Sequence, residues 1–277
     1  MTDDRATREW QAAAAGWRRW EPSIGSLSWP LALRMAAVAE VGPGQRVLDV
    51  GCGIGDPTLQ VAVLVGPHGH VLGIDLAEAM LATARERAAA LGLAHVEFTA
   101  GDVATLALPR SAFDVVLGRW SLIYLDDVVG ALARLRDALV PGGRIAVAAW
   151  APPDANPWIA VPLAALAEAG AAVDLDPGRP GIFQCSEDGA LARALLRAGF
   201  QTVNQERVRL SFFAQDPGEY WAMLTDGTGG PLAPLLDGLA PERVDAVVAR
   251  VTEGVARYRA GDVLRIPAQA QLAWGRA

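Results

Sequence analysis

Through the middle of the chain, short apolar runs alternate with segments whose apolar residues recur at helical spacing. Arg46 to Val50, Val71 to Ile74, Val96 to Thr99, Phe113 to Leu117 and Arg144 to Trp150 read as strands. Pro57 to Val65, Ala77 to Leu91 and Asp127 to Leu139 read as the helices between them. Strands this apolar fit burial on both faces. Strand–helix alternation predicts an α/β fold, a doubly wound and mostly parallel sheet with helices on both sides. Ahead of this core, Trp10, Ala13, Ala14, Trp17 and Trp20 share helical spacing, with Arg18 and Arg19 on the other face. Pro30 is expected to start a second helix that ends near Glu40, before the Gly42-Pro43-Gly44 turn.

Beyond Trp150 the alternation breaks. Ala151 to Ser186 is rich in Pro and Gly, with one helix near Trp158 to Ala169. A helix from Glu187 to Ala198, stopped by Gly199, leads into a strand from Thr202 to Phe212. A helical stretch, Pro217 to Arg259, precedes a strand-like run, Val263 to Trp274. The organisation expected is a helical cap (1–40), a ligand-binding core (41–150), an insert (151–186) and a C-terminal part of the sheet (187–277) that carries a helical lid (217–259).

Composition narrows the function. The 277 residues are 52% hydrophobic and 20% charged, ample for a packed core and too apolar for a disordered chain. No apolar run reaches the roughly 18 residues of a membrane span. The first twenty residues mix charges and do not read as a signal peptide. A cytoplasmic protein with no membrane partner is therefore expected. A net charge of -7 disfavours a nucleic-acid partner, which wants a basic face. Cys52 and Cys185 make no disulfide framework, and no His, Cys or acid cluster has metal spacing, so no metal is expected. All 24 basic residues are arginine, a mark of genome composition. Nine tryptophans beside three tyrosines ask where a cavity lies.

The sharpest chemistry is Val47-Leu48-Asp49-Val50-Gly51-Cys52-Gly53-Ile54-Gly55, with Asp75 ending the next strand. Glycines let the backbone turn sharply and approach a ligand, and an acid at the second strand end suits two ribose hydroxyls. A dinucleotide loop wants a third glycine where Asp56 stands, and an acid there repels a pyrophosphate. Asp49, inside the first strand, favours instead a ligand with cationic groups, such as S-adenosylmethionine.

That run resembles the first motif of the class I S-adenosylmethionine-dependent methyltransferases. Gly73-Ile74-Asp75-Leu76 with Met80-Leu81, Gly101-Asp102-Val103, Phe113-Asp114-Val115-Val116 and Leu139-Val140-Pro141-Gly142-Gly143-Arg144 resemble its later motifs, over about Val41 to Trp150. Gly55-Asp56-Pro57, Trp10 with Gly16-Trp17 and Trp20, and Trp150 with Asn156-Pro157-Trp158 resemble a bacterial small-molecule branch near the ubiquinone/menaquinone-biosynthesis type. The resemblance implies a Rossmann-like sheet of seven strands with the last antiparallel. It implies that Asp49, Gly51 and Gly53 hold the methionine part of the cofactor. Asp75 would take the ribose, Leu76 the adenine face, and Asp102 and Val103 the adenine edge, with Arg119 and Trp120 near the methyl group. S-Adenosylhomocysteine would be the product. Gly118-Arg119-Trp120-Ser121 stands where amino-methylating DNA enzymes carry an Asn/Asp-Pro-Pro-aromatic run, which argues against nucleic-acid bases.

On the acceptor side, His68, His70 and His95 precede strands and fall at the edge opposite the ligand. Tyr124, Arg119 and Tyr220 are the candidate catalytic groups, with Asp154 and Asp226 as further acceptor-side acids. Asp126 is expected to cap the helix after it. Trp17, Trp20, Trp150, Trp158 and Trp221 fall on segments expected to cover the site, and predict an aromatic-walled acceptor pocket. The reading is methyl transfer to a small, largely apolar or aromatic acceptor, a specialised metabolite or quinone-like precursor, by a monomer or homodimer. The alternatives are non-methylating chemistry on the same fold, such as a cyclase, and a non-catalytic regulator that binds the cofactor.

Overall fold

The computed structural model describes residues 4–228 and 232–277. The first three residues of the expected cap and 229–231 of the expected lid lie outside them. In chain order the elements begin with helices α1 (Asp4–Arg19) and α2 (Glu21–Val38). The core follows as β1 (Arg46–Val50), α3 (Thr58–Val65), β2 (His70–Asp75), α4 (Glu78–Ala90), β3 (Val96–Ala100), β4 (Phe113–Arg119), α5 (Val128–Ala138) and β5 (Leu139–Trp150). Then come α6 (Pro157–Glu168), α7 (Ala190–Arg197), β6 (Gln201–Ala214), α8 (Pro217–Met223), a π-helical turn Leu224–Thr228, α9 (Leu232–Asp237), α10 (Pro241–Ala256), β7 (Arg259–Ala260) and β8 (Val263–Arg276).

The strands form one sheet in the order β3-β2-β1-β4-β5-β8-β6, with the two-residue β7 paired to β8. β1 to β5 pair in parallel, and β8 runs antiparallel to both β5 and β6. The sheet is thus mostly parallel with β8 reversed, as expected, and the short β7 adds an eighth strand. β1 sits at the centre, where Val47, Leu48, Asp49 and Val50 are all buried. Asp49 lies in register between Gly73 of β2 and Leu117 of β4. The order reverses at β1, so the crevice at the carboxyl ends of β1 and β4 is the natural ligand position of such a sheet.

Two expectations are corrected. α2 does not start at Pro30; Pro22 occupies its first turn and Pro30 lies inside the helix. Ile24, Leu27, Leu31 and Met35 form one buried stripe on either side of Pro30, whose own side is exposed. Burying that stripe outweighs the interior-proline cost of about 3 kcal/mol. Asp127, not Asp126, caps α5, accepting from Gly130 N at 2.8 Å. No helix among the described residues is long and apolar enough to cross a membrane.

Candidate active site

A cavity of about 200 Å³ opens at the carboxyl ends of the parallel strands. Its floor is the loop after β1. Gly51 N and Cys52 N donate to the Ile74 carbonyl at 2.8 and 3.0 Å, which ties that loop to β2. Gly51 and Gly53 have φ of 67° and 54°, the left-handed region that favours glycine. A Cβ on Gly51 would meet Ser121 Cβ at 2.2 Å, so the glycine lets this loop touch the segment after β4. A Cβ on Gly53 would meet nothing within 4 Å, which leaves the backbone open to the cavity.

Asp75 ends β2 beside that opening. Its Oδ2 accepts from Gly53 N at 2.8 Å and its Oδ1 from Ala77 N at 2.9 Å. Each oxygen keeps a lone pair for a ligand hydroxyl. Burial pushes the carboxyl up from its ordinary value, while the Ala77 and Gly53 N–H groups pull it back. Leu76, Asp102 and Val103 stand beside it as walls, and Asp102 Oδ1 accepts from Ala104 N at 2.8 Å.

Asp49 is not a wall. It is fully buried beneath the loop, where Thr58 Oγ1 donates to its Oδ2 at 2.5 Å and its Oδ1 has no partner. Desolvation pushes its carboxyl up to about 6, against the Thr58 bond and the Arg119 charge. Asp49 thus lies beneath the cavity, tied to the start of α3 through Thr58. Asp56, which stands where a dinucleotide loop carries glycine, accepts from Arg87 Nη1 at 2.9 Å and from Gln60 Nε2. Arg87 also donates to the Ile54 carbonyl and to Glu21 Oε1, so this acid ties the loop to α2 and α4.

Past β4 the side chains are different in kind. Arg119 is buried and donates through Nη2 to the Asp56 carbonyl at 2.7 Å, while its Nε and Nη1 have no partner. Its guanidinium lies 5.0 Å from the Trp120 ring centre. Trp120 has φ +57°, a strained backbone for a bulky residue and one that concentrates at functional sites. The Trp120 ring stacks on Trp150 at 4.0 Å and 12°, and Trp150 packs on Trp158 at 4.8 Å. Trp158 stacks on Phe212 at 5.6 Å. On the opposite side, Trp10 meets Tyr124 edge-on at 5.3 Å and Trp17 at 6.4 Å. Burial pushes the Tyr124 phenol up to about 12, so it stays protonated at neutral pH.

The structure thus gathers Gly51, Gly53, Asp75, Leu76, Asp102, Val103, Arg119, Trp120, Tyr124, Trp17, Trp150 and Trp158 around one cavity. Besides Asp49, five candidates stand off it. Tyr220 is fully buried and its hydroxyl donates to the Trp158 carbonyl, so it supports a wall and has no free hydroxyl for chemistry. Trp20 turns its Nε1 to Asp226 Oδ2 at 2.8 Å, the oxygen that Arg19 also holds at 2.7 Å. That commitment removes Asp226 as an acceptor-side acid too. Trp221 packs half-buried against the core and Asp154 is exposed. His70 starts β2 and His95 precedes β3, with Nε2 2.9 Å from the Ala62 carbonyl; neither they nor His68 line the cavity.

Sequence reasoning missed Trp10, Ser121, Ile182 and Phe212 as walls. Trp10 lies two helical turns from Trp17, a spacing that puts both on one face. No local signal marks Phe212 or Ile182, which arrive from distant parts of the chain.

A methyltransferase domain family matches residues 42–171. Nocamycin O-methyltransferase of Saccharothrix syringae is 33% identical over 241 residues, covering 84% of this chain and 85% of that protein. Aklanonic acid methyltransferase DauC of Streptomyces sp. (strain C5) is 44% identical over 117 residues, 42% of this chain and 53% of that protein's length. The (4+2)-cyclase SpnF shares the fold, with a TM-score of 0.55 and 24% identity over 88% of this chain and 80% of that one. With a full-length relative of this identity and the glycine loop, strand-end acid and sheet order described above, the chain belongs to the S-adenosylmethionine-dependent methyltransferases of the small-molecule type.

Proposed function

We propose that this protein moves a methyl group from S-adenosylmethionine to a small, flat and largely apolar acceptor. One observation carries the reading: a single cavity has two unlike halves. The half at β2 and β3 offers carboxylates and an open glycine backbone. The half past β4 and β5 offers stacked tryptophans.

The residues fit the cofactor. Asp75 keeps a lone pair on each oxygen for adjacent ribose hydroxyls, and Leu76, Asp102 and Val103 supply the face and edge for an adenine. Gly53 leaves its backbone open to the methionine part, Gly51 lets the loop close onto Ser121 beside it, and the buried Asp49 beneath them favours a cationic group. Bound S-adenosylmethionine supplies a methyl group already activated as an electrophile. Trp120, Trp150 and Trp158 set the plane of the acceptor, and the apolar walls exclude water. Holding the reactants at near-attack distance in a dry cavity is worth several kcal/mol of barrier without a base.

The test is incubation with S-adenosylmethionine and a panel of polycyclic aromatic acceptors, read by product mass. A gain of one methylene unit with release of S-adenosylhomocysteine supports the reading. Product of unchanged mass would point to the cyclase alternative. Cofactor binding without turnover on any acceptor would point to a regulator.

A further inference from the structure

The order of the sheet sorts the polar groups of the cavity by kind. Asp75 and Asp102, the carboxylates at the ends of β2 and β3, stand on the cofactor side. Among the cavity walls past β4 and along α1, each unpartnered buried polar atom can donate a hydrogen bond. Arg119 presents Nε and Nη1, Trp120 and Trp17 each present an indole Nε1, and Ser121 presents its hydroxyl; all are buried without a partner. Arg119 is 8% exposed.

No acceptor among the described walls answers these donors. Asp56 and Asp49 oppose the Arg119 charge without a hydrogen bond to it from their carboxylates, and Asp56 gives its two oxygens to Arg87 and Gln60. Asp49 keeps an unpartnered oxygen, but no hydrogen bond joins it to Arg119. A buried donor left unmade costs about 1–3 kcal/mol, and a buried cation costs more. A base is missing from the same half. The Tyr124 phenol holds its proton, the histidines lie elsewhere, and Asp226 is bound to Arg19 and Trp20.

Resting on the methyltransferase reading, we infer that the acceptor enters as an oxyanion conjugated to a flat ring system, a carboxylate or an acidic enol. Arg119, with the Trp120 indole N–H and the Ser121 hydroxyl, receives its charge. The Trp120–Trp150 stack holds the ring. The step then balances without a base. The oxyanion supplies the electron pair of the new O–C bond. The pair of the broken S–C bond stays on sulfur as the thioether, and no proton is released. A few fixed donors in place of a water shell leave the oxygen reactive.

Calorimetry tests this in two stages. S-Adenosylhomocysteine is titrated first, with no acceptor present. The protein saturated with it then receives matched pairs: naphthoate against acetonaphthone for the carboxylate, and lawsone against its methyl ether for the enol. At least one anion is expected to bind roughly tenfold more tightly than its neutral partner, the worth of a charged hydrogen bond. The stronger pair tells carboxylate from enol. Arg119→Gln is expected to erase that preference and keep S-adenosylhomocysteine binding. Trp120→Phe, which keeps the ring and removes the N–H, is expected to reduce the preference a few-fold, and it carries the test should Arg119→Gln not fold. Equal or tighter binding of the neutral partners overturns the inference and leaves the methyltransferase reading standing. So does an Arg119→Gln protein that still binds S-adenosylhomocysteine and keeps the preference, which would show that Arg119 does not receive the acceptor's charge. Failure of S-adenosylhomocysteine to bind the unaltered protein overturns both.

Discussion

Asp49 and Asp75 are two acids of one sheet with opposite situations. Asp75 has two backbone donors and faces the cavity, whereas Asp49 has one hydroxyl partner and is sealed beneath it. Asp75→Ala removes the acceptor of both N–H groups and of the ligand hydroxyls. S-Adenosylmethionine affinity should fall by more than about 1 kcal/mol; unchanged affinity by calorimetry would remove Asp75 from the cofactor site. Asp49 makes a prediction about pH. Its carboxyl is raised from 3.8 to about 6 in the folded protein, so between those values the folded chain holds a proton that the unfolded chain has lost. Stability from this group therefore decreases as pH rises from 3.8 to 6 and is level above, a cost of up to about 3 kcal/mol. Asp49→Asn should gain on the unaltered protein across that window in urea denaturation series. A constant difference would show that Asp49 titrates normally. The acid types and glycine spacing were legible in the sequence. Burial was not: which of two strand acids reaches the cavity depends on the register that places Asp49 between Gly73 and Leu117.

Among elements, the contact that local patterns could not show is that of α1 with the π-helical turn 224–228. Gly16 lies so close that a Cβ there would meet the Asp226 carbonyl oxygen at 1.7 Å, and Arg19 and Trp20 both hold the Asp226 carboxylate. α1 also carries the cavity walls Trp10 and Trp17. Gly16→Ala should push α1 off the turn, cost about 1–3 kcal/mol and weaken S-adenosylhomocysteine binding severalfold. Undiminished binding would show that α1 needs no anchor there. At the other wall, Tyr220→Phe strands the Trp158 carbonyl in the core. It should cost about 1–3 kcal/mol in chemical denaturation, and an unaffected midpoint would mean that the carbonyl finds another donor. Helical spacing predicted α1, and α8 falls within the helical stretch read from Pro217 to Arg259. That Tyr220 supports Trp158 follows from elements meeting across 62 residues of chain, and that Trp20 faces Asp226 from a meeting across 206, which no local periodicity encodes.

For the whole molecule, the cavity draws its walls from α1, α2, the ends of β1 to β5, the segment around Ile182, and β6. Such a site closes only in the folded state, so its ligand stabilises the fold by mass action. S-Adenosylhomocysteine at a hundredfold excess over its Kd should add about 3 kcal/mol and raise Tm by roughly 5–10 °C. A Tm that does not move at saturation would place the ligand on a surface that survives unfolding. By itself the sequence determined the α/β alternation, the central apolar strands, the glycine loop and the strand-end acid. Each is local: periodicity sets the element, and the loop needs glycine at fixed steps after a strand. The tertiary structure decided which tryptophans face the cavity, which tyrosine keeps a free hydroxyl, and that Arg119 is buried with donors to spare. Those outcomes depend on what packs against each side chain, and its neighbours come from the far ends of the chain.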